Sequence, residues 1–297
     1  MKTFQGRTAV ITGAGSGFGL EVARIAAARG MNLVLCDVQA DALAKAAAEF
    51  EGRPVLAQVV DVAKADQMQA LADAVQARFG APSFVFNNAG VGSGGLVWEN
   101  TLADWEWVLG VNLTGVVHGV RLFTPMMLAA AKADPTFEGH IVNTASMAGV
   151  VNAPNMGVYN VSKHAVVSLS ETLYQDLALV SDQVHCSVLC PYFVPTGISQ
   201  SHRNRPADLP GARATKSQLI GQAMVDKAVS SGKVTAPEVA QMVFDAMEQQ
   251  RFYVFSHPKA LAGVQSRMDD LLQQRNPADP FQDRPDLGEQ LRAALRA

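Results

Sequence analysis

The sequence predicts an α/β protein whose core is a doubly wound parallel sheet flanked by helices on both faces. Short apolar runs rich in Val, Leu and Phe alternate with longer segments of helical period from the N-terminus to about residue 256. These runs do not alternate with polar residues, which is typical of strands covered on both faces. Such strands join through right-handed helical crossovers. The predicted strands are Thr8–Ile11, Asn32–Cys36, Val55–Val60, Phe84–Phe86, His140–Thr144, His185–Leu189 and Phe252–Phe255.

The helical patterns between these strands differ in length. Leu102–Ala131 and Val158–Val180 are the longest and predict the two largest helices of the fold. A shorter helix is predicted over Ala42–Phe50, with Asp41 in the position of its N-cap because a carboxylate there accepts hydrogen bonds from free main-chain N–H groups.

One polar segment interrupts the alternation. Gly197–Lys233 contains two prolines and is too long for an ordinary connection, which predicts a loop that serves as a substrate lid. We therefore expect residues 1–256 to form a single domain that includes this lid. Residues 257–297 contain a helical stretch at Pro258–Gln274 and are expected to be a helical extension packed on the same domain, where it covers the substrate cleft or changes subunit contacts.

Composition narrows the class of protein. The chain has 297 residues, of which 48% are hydrophobic and 17% charged, so it can bury a sizeable core. A net charge of −3 shows no footprint for nucleic acid or an anionic membrane. Three scattered cysteines indicate a reducing compartment, and no apolar run approaches the ~20 residues of a membrane helix. The first predicted strand begins almost at the N-terminus, which leaves no room for a signal peptide, so we expect a soluble cytoplasmic protein.

A glycine-rich turn lies between the first predicted strand and the first helix. It runs from Thr12 to Gly19, and its glycines let the main chain approach a pyrophosphate at a helix N-terminus. The second strand ends at Asp37, 18 residues past Gly19, where an acidic ligand of the adenosine ribose is expected. Its neighbours Cys36 and Gln39 are uncharged, so nothing there would neutralise a 2′-phosphate. The turn and this carboxylate together predict NAD as the cofactor.

A second constellation carries acid–base chemistry. Tyr159 and Lys163 are four residues apart, which places them on one face of a helix. A nearby ammonium stabilises a phenolate, so we expect the pKa of Tyr159 to fall towards the working pH. Ser146 lies just past a predicted strand, at the edge of the sheet where ligands bind. The six histidines show no paired spacing typical of a metal site.

These motifs together resemble those of the short-chain dehydrogenase/reductase family, in its single-domain branch with a Rossmann-type fold. The resemblance covers about residues 6–256, with the elements in the order and spacing of the family. The matching elements are Thr12–Gly19, Asp37, Asp61-Val62, Asn87–Gly90, Asn112, Ser146, the Tyr159–Lys163 pair and Pro191–Thr196.

The resemblance implies a role for each matching residue. It implies a proton relay of Ser146, Tyr159, Lys163 and Asn112, the last anchoring a water. The implied cofactor-binding residues are Gly13, Ser16, Gly17, Phe18, Gly19, Asp37, Asp61, Val62, Asn88, Ala89, Gly90, Tyr159, Lys163, Pro191, Val194 and Thr196. The implied substrate-contacting residues are Ser146, Met147, Tyr159, Tyr192 and Phe193. The family usually has Gly after Pro191, whereas this chain has Tyr192, which suggests an aromatic side chain near the substrate.

The function expected from these residues is NAD-dependent interconversion of a secondary alcohol and its ketone, with an apolar, bulky or aromatic substrate. An NADPH-dependent carbonyl or 3-ketoacyl reductase is an alternative. A non-catalytic nucleotide sensor on the same fold is another, although a sensor has no use for a proton relay. The long helices Leu102–Ala131 and Val158–Val180 usually pair between subunits in this branch, which implies a homodimer or homotetramer.

Overall fold

The computed structural model describes residues 1–296, which contain a seven-stranded parallel sheet with the strand order β3-β2-β1-β4-β5-β6-β7. All seven predicted strands are present. Their bounds are β1 Thr8–Thr12, β2 Asn32–Asp37, β3 Val55–Val59, β4 Phe84–Asn87, β5 Gly139–Thr144, β6 Val184–Cys190 and β7 Tyr253–Phe255. The strand order reverses direction between β1 and β4, and a crevice for ligands opens at the carboxyl ends of strands at such a point.

Helices cover both faces of this sheet, as predicted. Their bounds are α1 Gly17–Ala28, α2 Ala40–Ala48, α3 Ala65–Phe79, α4 Leu102–Leu109, α5 Gly115–Ala133, α6 Gly157–Val180, α7 Lys216–Ser230, α8 Ala236–Gln249, α9 Leu261–Leu272 and α10 Pro285–Arg296. Side chains alternate along each strand, so Ile11 of β1 packs with α1, α2 and α8 on one face. Its neighbour Val10 packs with α3, α5 and α6 on the other.

The predicted cap of α2 was wrong. The helix begins at Ala40 with Gln39 as its N-cap, so Asp41 lies in the first turn instead. The main-chain N–H of Gln39 donates a 2.9 Å hydrogen bond to the Asp37 carboxylate, which turns the chain into the helix two residues earlier than the sequence suggests.

The long pattern predicted as one helix, Leu102–Ala131, is divided by a π-helical turn at Gly110–Thr114, between α4 and α5. The N–H of Gly115 reaches the carbonyl of Gly110, one residue further than in an α-helix. Such turns occur frequently at functional sites, and this one contains Asn112. Contrary to the sequence analysis, the run Leu102–Ala133 is by length and composition long and apolar enough for a membrane span, with 32 residues and a mean hydropathy of 1.3 over an 18-residue stretch. Phe123, which belongs to this run, packs in the hydrophobic core between α5 and the sheet.

The segment Gly197–Lys233 is not the single loop that the sequence predicted. It contains 3₁₀ turns over Gly197–Asn204 and then helix α7. Thr215 and Gln218 form a reciprocal capping box that starts this helix, a signature the sequence analysis overlooked. Helix α10 was also missed, in the tail that follows the predicted Pro258–Gln274 helix, which the structure shows as a 3₁₀ turn and α9.

Candidate active site

One large cleft opens at the carboxyl ends of the strands, above the point where the strand order reverses. Its volume is about 2170 Å³, whereas sites for single small ligands are roughly 300–1,000 Å³. Gly13 and Asp37 lie at one end of its lining, and Ser146 and Tyr159 line it as well. The cleft therefore has room for a dinucleotide and a second molecule side by side.

The glycine-rich turn forms a cradle at the start of α1. Gly13 has φ +66°, and a Cβ atom there would lie 3.0 Å from the Cα of Ala89. A Cβ atom at Gly19 would lie 2.2 Å from the carbonyl oxygen of Gly13, so only glycine lets the helix pack this close to the turn. Ser16 is the N-cap of α1 and its exposed side chain makes no capping hydrogen bond. The N–H groups of the first turn are thus left for an anion.

Gly17 and Phe18 begin the helix beside this cradle. A Cβ atom at Gly17, where φ is +55°, would lie 3.5 Å from the Cβ of Thr196. The ring of Phe18 is partly buried and packs against the core on the α1 face of the sheet. The turn is therefore attached to the fold on one side and faces Thr196 on the other.

Asp37 lies at the end of β2, where it holds the cradle in place. Its two carboxylate oxygens accept main-chain hydrogen bonds of 2.9 Å, one from Gly15 and one from Gln39. Asp61 plays a comparable part after β3, since its carboxylate accepts a 3.0 Å bond from the N–H of Ala63. Both residues line the same end of the cleft, as does the nearly buried Val62.

Asn88, Ala89 and Gly90 bring the cradle next to the predicted proton relay. The Thr12 hydroxyl accepts hydrogen bonds from the N–H groups of Asn88 and Ala89, at 2.8 and 3.0 Å. A Cβ atom at Gly90 would lie 3.4 Å from Oδ1 of Asn112 and 3.6 Å from Nζ of Lys163. A Cβ atom there would be in ordinary van der Waals contact with both groups, so this glycine brings the main chain of the floor next to them and leaves no side chain over it.

Helix α6 carries Tyr159 and Lys163 on one side, as the spacing predicted. The Nζ of Lys163 lies 5.8 Å from the centre of the Tyr159 ring and donates a 2.8 Å hydrogen bond to the Thr144 carbonyl. Burial lowers the pKa of Lys163 to about 8. Burial also raises the pKa of Tyr159, and the Ser146 side chain acts in the opposite, weaker direction. The expected fall in this pKa was therefore wrong for the protein alone, because desolvation of the phenolate outweighs its neighbours.

Ser146 and Asn112 are both held by hydrogen bonds, with different consequences. The Ser146 hydroxyl accepts a 3.1 Å bond from the N–H of Ala148 and donates a 3.3 Å bond to the Pro191 carbonyl. The fully buried amide of Asn112 bonds both main-chain groups of Val91, at 2.8 and 3.0 Å, and also the Ser162 hydroxyl. That amide is satisfied by protein, so a water anchored at Asn112 would have to use its main chain.

The residues after β6 form the side of the cleft next to Ser146. Val194 is 2% exposed and packs in the core, while Pro191 is buried at the strand end. The Thr196 hydroxyl accepts a 3.4 Å bond from Ile198 and caps the 3₁₀ turn that follows. Taken together, the anion-ready turn, the fixed Asp37 carboxylate and the open floor at Gly90 fit a nicotinamide dinucleotide.

The wall beyond this point is aromatic. Tyr192 is 47% exposed, and its ring centre lies 4.5 Å from that of Phe193 and 5.7 Å from that of His257. Met147, predicted as a substrate contact, borders the cleft but is only 2% exposed because it packs in a core cluster with Val188. Little of its side chain is left to meet a ligand.

The sequence analysis missed several residues of this wall, because they come from the C-terminal extension. His257 lines the cleft, as do Gly263 and Arg267 of α9 and Phe281 beyond it. Arg267 donates a 3.5 Å bond to the carbonyl of Val150, which attaches α9 to the loop after Ser146. The helical period of Pro258–Gln274 was visible in the sequence, but nothing in it showed which surface the helix would cover.

A family model described as short chain dehydrogenase matches residues 7–207.

The chain belongs to the short-chain dehydrogenase family.

Relatives extend the match beyond that segment. A short-chain dehydrogenase/reductase from Burkholderia phymatum, solved in complex with NAD, is 50% identical, with a TM-score of 0.91 over 94% of this chain and 99% of the other. A CLA biosynthesis dehydrogenase/reductase of Lactiplantibacillus plantarum is 32% identical over 90% of this chain and 94% of its own. A 1-deoxy-11-beta-hydroxypentalenate dehydrogenase of Streptomyces exfoliatus is 32% identical over 90% and 89%. This short-chain dehydrogenase is therefore an oxidoreductase with a nucleotide-binding Rossmann fold.

Proposed function

We propose that this short-chain dehydrogenase interconverts a secondary alcohol and its ketone with NAD as cofactor. One observation carries the proposal. The dinucleotide cradle and the side chains of Ser146, Tyr159 and Lys163 line the same cleft. The two are separated only by the floor at Gly90, where Nζ of Lys163 lies 3.6 Å from the position of a Cβ atom. An acid–base group beside a nicotinamide site is what alcohol oxidation needs.

Each residue of the relay has a separate task in this proposal. The Ser146 hydroxyl hydrogen-bonds the substrate oxygen and holds it near Tyr159, whose phenol exchanges the proton of that oxygen. The ammonium group of Lys163 is held beneath the site by the hydrogen bond that it donates to the carbonyl of Thr144. Asn112 fixes the π-turn against Val91 and α6 through its side-chain amide. The nicotinamide, when bound, supplies hydride transfer.

The choice of NAD over NADP rests on Asp37. Its carboxylate is oriented by two main-chain N–H groups and would repel a 2′-phosphate while accepting hydrogen bonds from ribose hydroxyls. Two cations that line the cleft already have partners in the protein alone, since Lys64 pairs with Asp208 at 3.2 Å and Arg203 bonds Gly197 and Gln200. The relative from Burkholderia phymatum, 50% identical, was solved with NAD, which supports the same choice.

The substrate class follows from the wall of the cleft. Tyr192, Phe193 and His257 offer ring faces and edges beside Ser146, which suits a bulky apolar or aromatic substrate. By its name, the relative from Streptomyces exfoliatus is a dehydrogenase of 1-deoxy-11-beta-hydroxypentalenate, a hydroxylated compound. A small polar alcohol would leave most of this wall without a contact.

The protein is further proposed to act in the cytoplasm as a homodimer or homotetramer. Large apolar side chains are exposed along α6, including Val161 at 47%, Leu179 at 83% and Val180 at 66%. Leu102 at the start of α4 is 87% exposed. Exposed apolar surface of this kind marks a protein interface, and sedimentation analysis of the purified protein would test it.

The experiment that tests the activity follows absorbance of the reduced nicotinamide with NAD and NADP in separate reactions. The substrates are a panel of aliphatic, aryl and bulky secondary alcohols at alkaline pH. Turnover with NAD and a bulky or aryl alcohol is expected. Turnover with NADP alone would make the protein an NADPH-dependent reductase and overturn the role of Asp37. Nucleotide binding without turnover of any alcohol, or of the matching ketones with NADH, would favour a sensor.

A further inference from the structure

The segment from Thr196 to Gly211 extends beyond the substrate side of the cleft, which is the only part that a substrate lid has to cover. It leaves the end of β6, and by Asn204 it has reached Gln39, beyond the end of β2. In the strand order, β6 and β2 are separated by β5, β4 and β1, a distance of about 19 Å at the usual strand spacing. Residues 197–211, here called the clasp segment, thus cross the cofactor groove. The substrate side is covered by α7, where Ser217 bonds Leu96 and Asn155.

The clasp segment is attached to the near wall of the groove by a buried serine. Ser201 is 5% exposed, and its hydroxyl accepts a 2.8 Å bond from the N–H of Gly92 after β4. The same hydroxyl donates to the carbonyl of Ile198. These two hydrogen bonds of the Ser201 hydroxyl fix the 3₁₀ turn against the loop that follows Gly90.

At the adenosine end the attachment is made to a neighbour of Asp37. The side-chain amide of Gln39 donates a 2.6 Å hydrogen bond to Oδ1 of Asn204. Since the main-chain N–H of Gln39 also bonds Asp37, the clasp segment is connected through Gln39 to the predicted ribose-binding residue. The ion pair of Lys64 with Asp208 adds a second contact here, although both side chains are largely exposed and such pairs contribute little.

A more buried attachment is made by Arg205 to helix α4. Its guanidinium forms a 2.5 Å ion pair with Asp104 of α4, with the two side chains only 17% and 11% exposed. It also donates a 2.6 Å bond to the carbonyl of Leu209 and lies 5.1 Å from the centre of the Trp107 ring. Leu209 packs on the cluster around Trp107 and Val91.

Asp104 is held in place without the clasp segment. Its other carboxylate oxygen accepts bonds of 2.8 and 2.9 Å from the N–H and hydroxyl of Thr101, in the capping box of α4. Arg205 therefore meets an acceptor that is already oriented, which makes the pair well suited to fasten a movable segment to a fixed one.

We propose that residues 197–211 form a clasp over the whole dinucleotide, including its adenosine half, and that the Arg205–Asp104 pair holds it shut. The inference rests on the proposed function, since it requires a bound nicotinamide dinucleotide. Arg205 is a positioning residue in this scheme, because it acts through the segment that it holds. Release of the cofactor requires the pair to open, so the pair sets the dissociation rate of NADH.

The test measures NADH dissociation by stopped-flow fluorescence, with excess NAD⁺ as the trap. The proteins are the wild type, Arg205→Met, Asp104→Asn and the double variant. Methionine keeps an apolar stem beside Trp107 while removing the charge. Each single variant is expected to release NADH about tenfold faster or more, and the double variant no faster than the single ones. Arg213→Met is the matched control, because Arg213 lies just after the clasp segment, is exposed and is in none of the ion pairs of residues 1–296.

A second measurement does not depend on nucleotide. Hydrogen exchange of residues 197–211 in the protein alone should be faster in Arg205→Met than in the wild type and in Arg213→Met. If Arg205→Met does not fold, Asn204→Ala removes the bond to Gln39 at a half-exposed position and should still speed NADH release several-fold.

The outcomes separate the clasp from the proposed function. NADH that binds the wild type but leaves the Arg205 and Asn204 variants at the wild-type rate would overturn the clasp alone. Effects of Arg205→Met and Asp104→Asn that multiply in the double variant would overturn the pair as its fastening. A wild type that binds neither NADH nor NAD⁺ would overturn the proposed function, and the clasp with it.

Discussion

Lys163 reaches from α6 to the end of the neighbouring strand, where its Nζ donates a 2.8 Å hydrogen bond to the main-chain carbonyl of Thr144. Thr144 precedes Ser146 by two residues, so this one bond sets the position of α6 relative to the loop that carries the serine. Both Lys163 and Thr144 are more than 90% buried. The charge of this lysine therefore costs stability while its position organises the site.

That cost should be visible in the pH dependence of stability. The pKa of Lys163 is about 8 in the folded protein, against roughly 10.4 for a lysine in an unfolded chain. Between these values the unfolded chain binds more protons, so the free energy of unfolding should rise with pH by up to about 1.4 kcal/mol per pH unit. Urea unfolding of the wild type and of Lys163→Met from pH 7 to 10 measures this.

The contribution of Lys163 is the difference between those two curves, because all other titrating groups are common to both proteins. The free energy of unfolding of the wild type should rise relative to that of the variant mainly between pH 8 and 10, with only a small part of the rise between pH 7 and 8. A difference that is flat or falls across pH 8–10 would contradict the lowered pKa. The window ends at 10, close to the pKa of a lysine in the unfolded chain.

Tyr159→Phe should abolish most of the turnover and leave nucleotide binding nearly unchanged. Loss of a positioned acid–base group costs about 10²- to 10⁴-fold in rate, whereas the ring that lines the cleft is retained. The measurement pairs kcat with an NADH fluorescence titration. Tyr174→Phe is the matched control, since Tyr174 lies on the same helix, packs its ring against Phe252 and does not line the cleft. Substantial turnover in Tyr159→Phe would refute its role as the acid–base group.

Asp37→Asn should weaken NADH binding and reduce the preference for NADH over NADPH. The substitution keeps the shape but removes the charge that accepts bonds from Gly15 and Gln39 and repels a 2′-phosphate. Hydrogen bonds to a charged group contribute roughly 1.5–3 kcal/mol, so a loss of NADH affinity of about 10- to 150-fold is expected. Fluorescence titrations with both nucleotides measure it, with Asp41→Asn, an exposed neighbour, as control. An unchanged ratio of the two affinities would show that Asp37 does not select the cofactor.

The same substitution at two helical glycines should have opposite effects on stability. Gly19→Ala places a Cβ 2.2 Å from the main-chain oxygen of Gly13, and forced overpacking of this kind costs roughly 1–3 kcal/mol. Gly263→Ala in α9 meets no atom nearer than 3.8 Å, and the better helix propensity of alanine should add up to about 1 kcal/mol. The free energies of unfolding of both variants and of the wild type, measured in urea, test this difference. Equal effects would mean that α1 can move away from the turn.

Much of this protein was predictable because its signals are local. Each strand was visible as an apolar run, since both faces of the sheet are covered. The glycine turn, Asp37 and the Tyr159–Lys163 spacing depend on a few consecutive residues, and the main chain has little choice about where it places them. The signal for the start of α7 was equally local, in the Thr215–Gln218 capping box, but the sequence analysis did not include it.

Other features depend on residues far apart in the chain, where no local pattern decides which surfaces meet. Asp104 and Arg205 are 101 positions apart, and Val150 and Arg267 are 117 apart. The direction of the Tyr159 pKa was misjudged for the same reason, because it depends on how much protein covers the phenol rather than on the lysine one turn away. The sequence by itself determined the sheet, the glycine-rich turn and the placement of Tyr159 and Lys163 on one side of a helix, through periodicity and short-range geometry. The tertiary structure alone decided which walls close the cleft and how strongly its charges are desolvated, because packing and burial are properties of the whole fold.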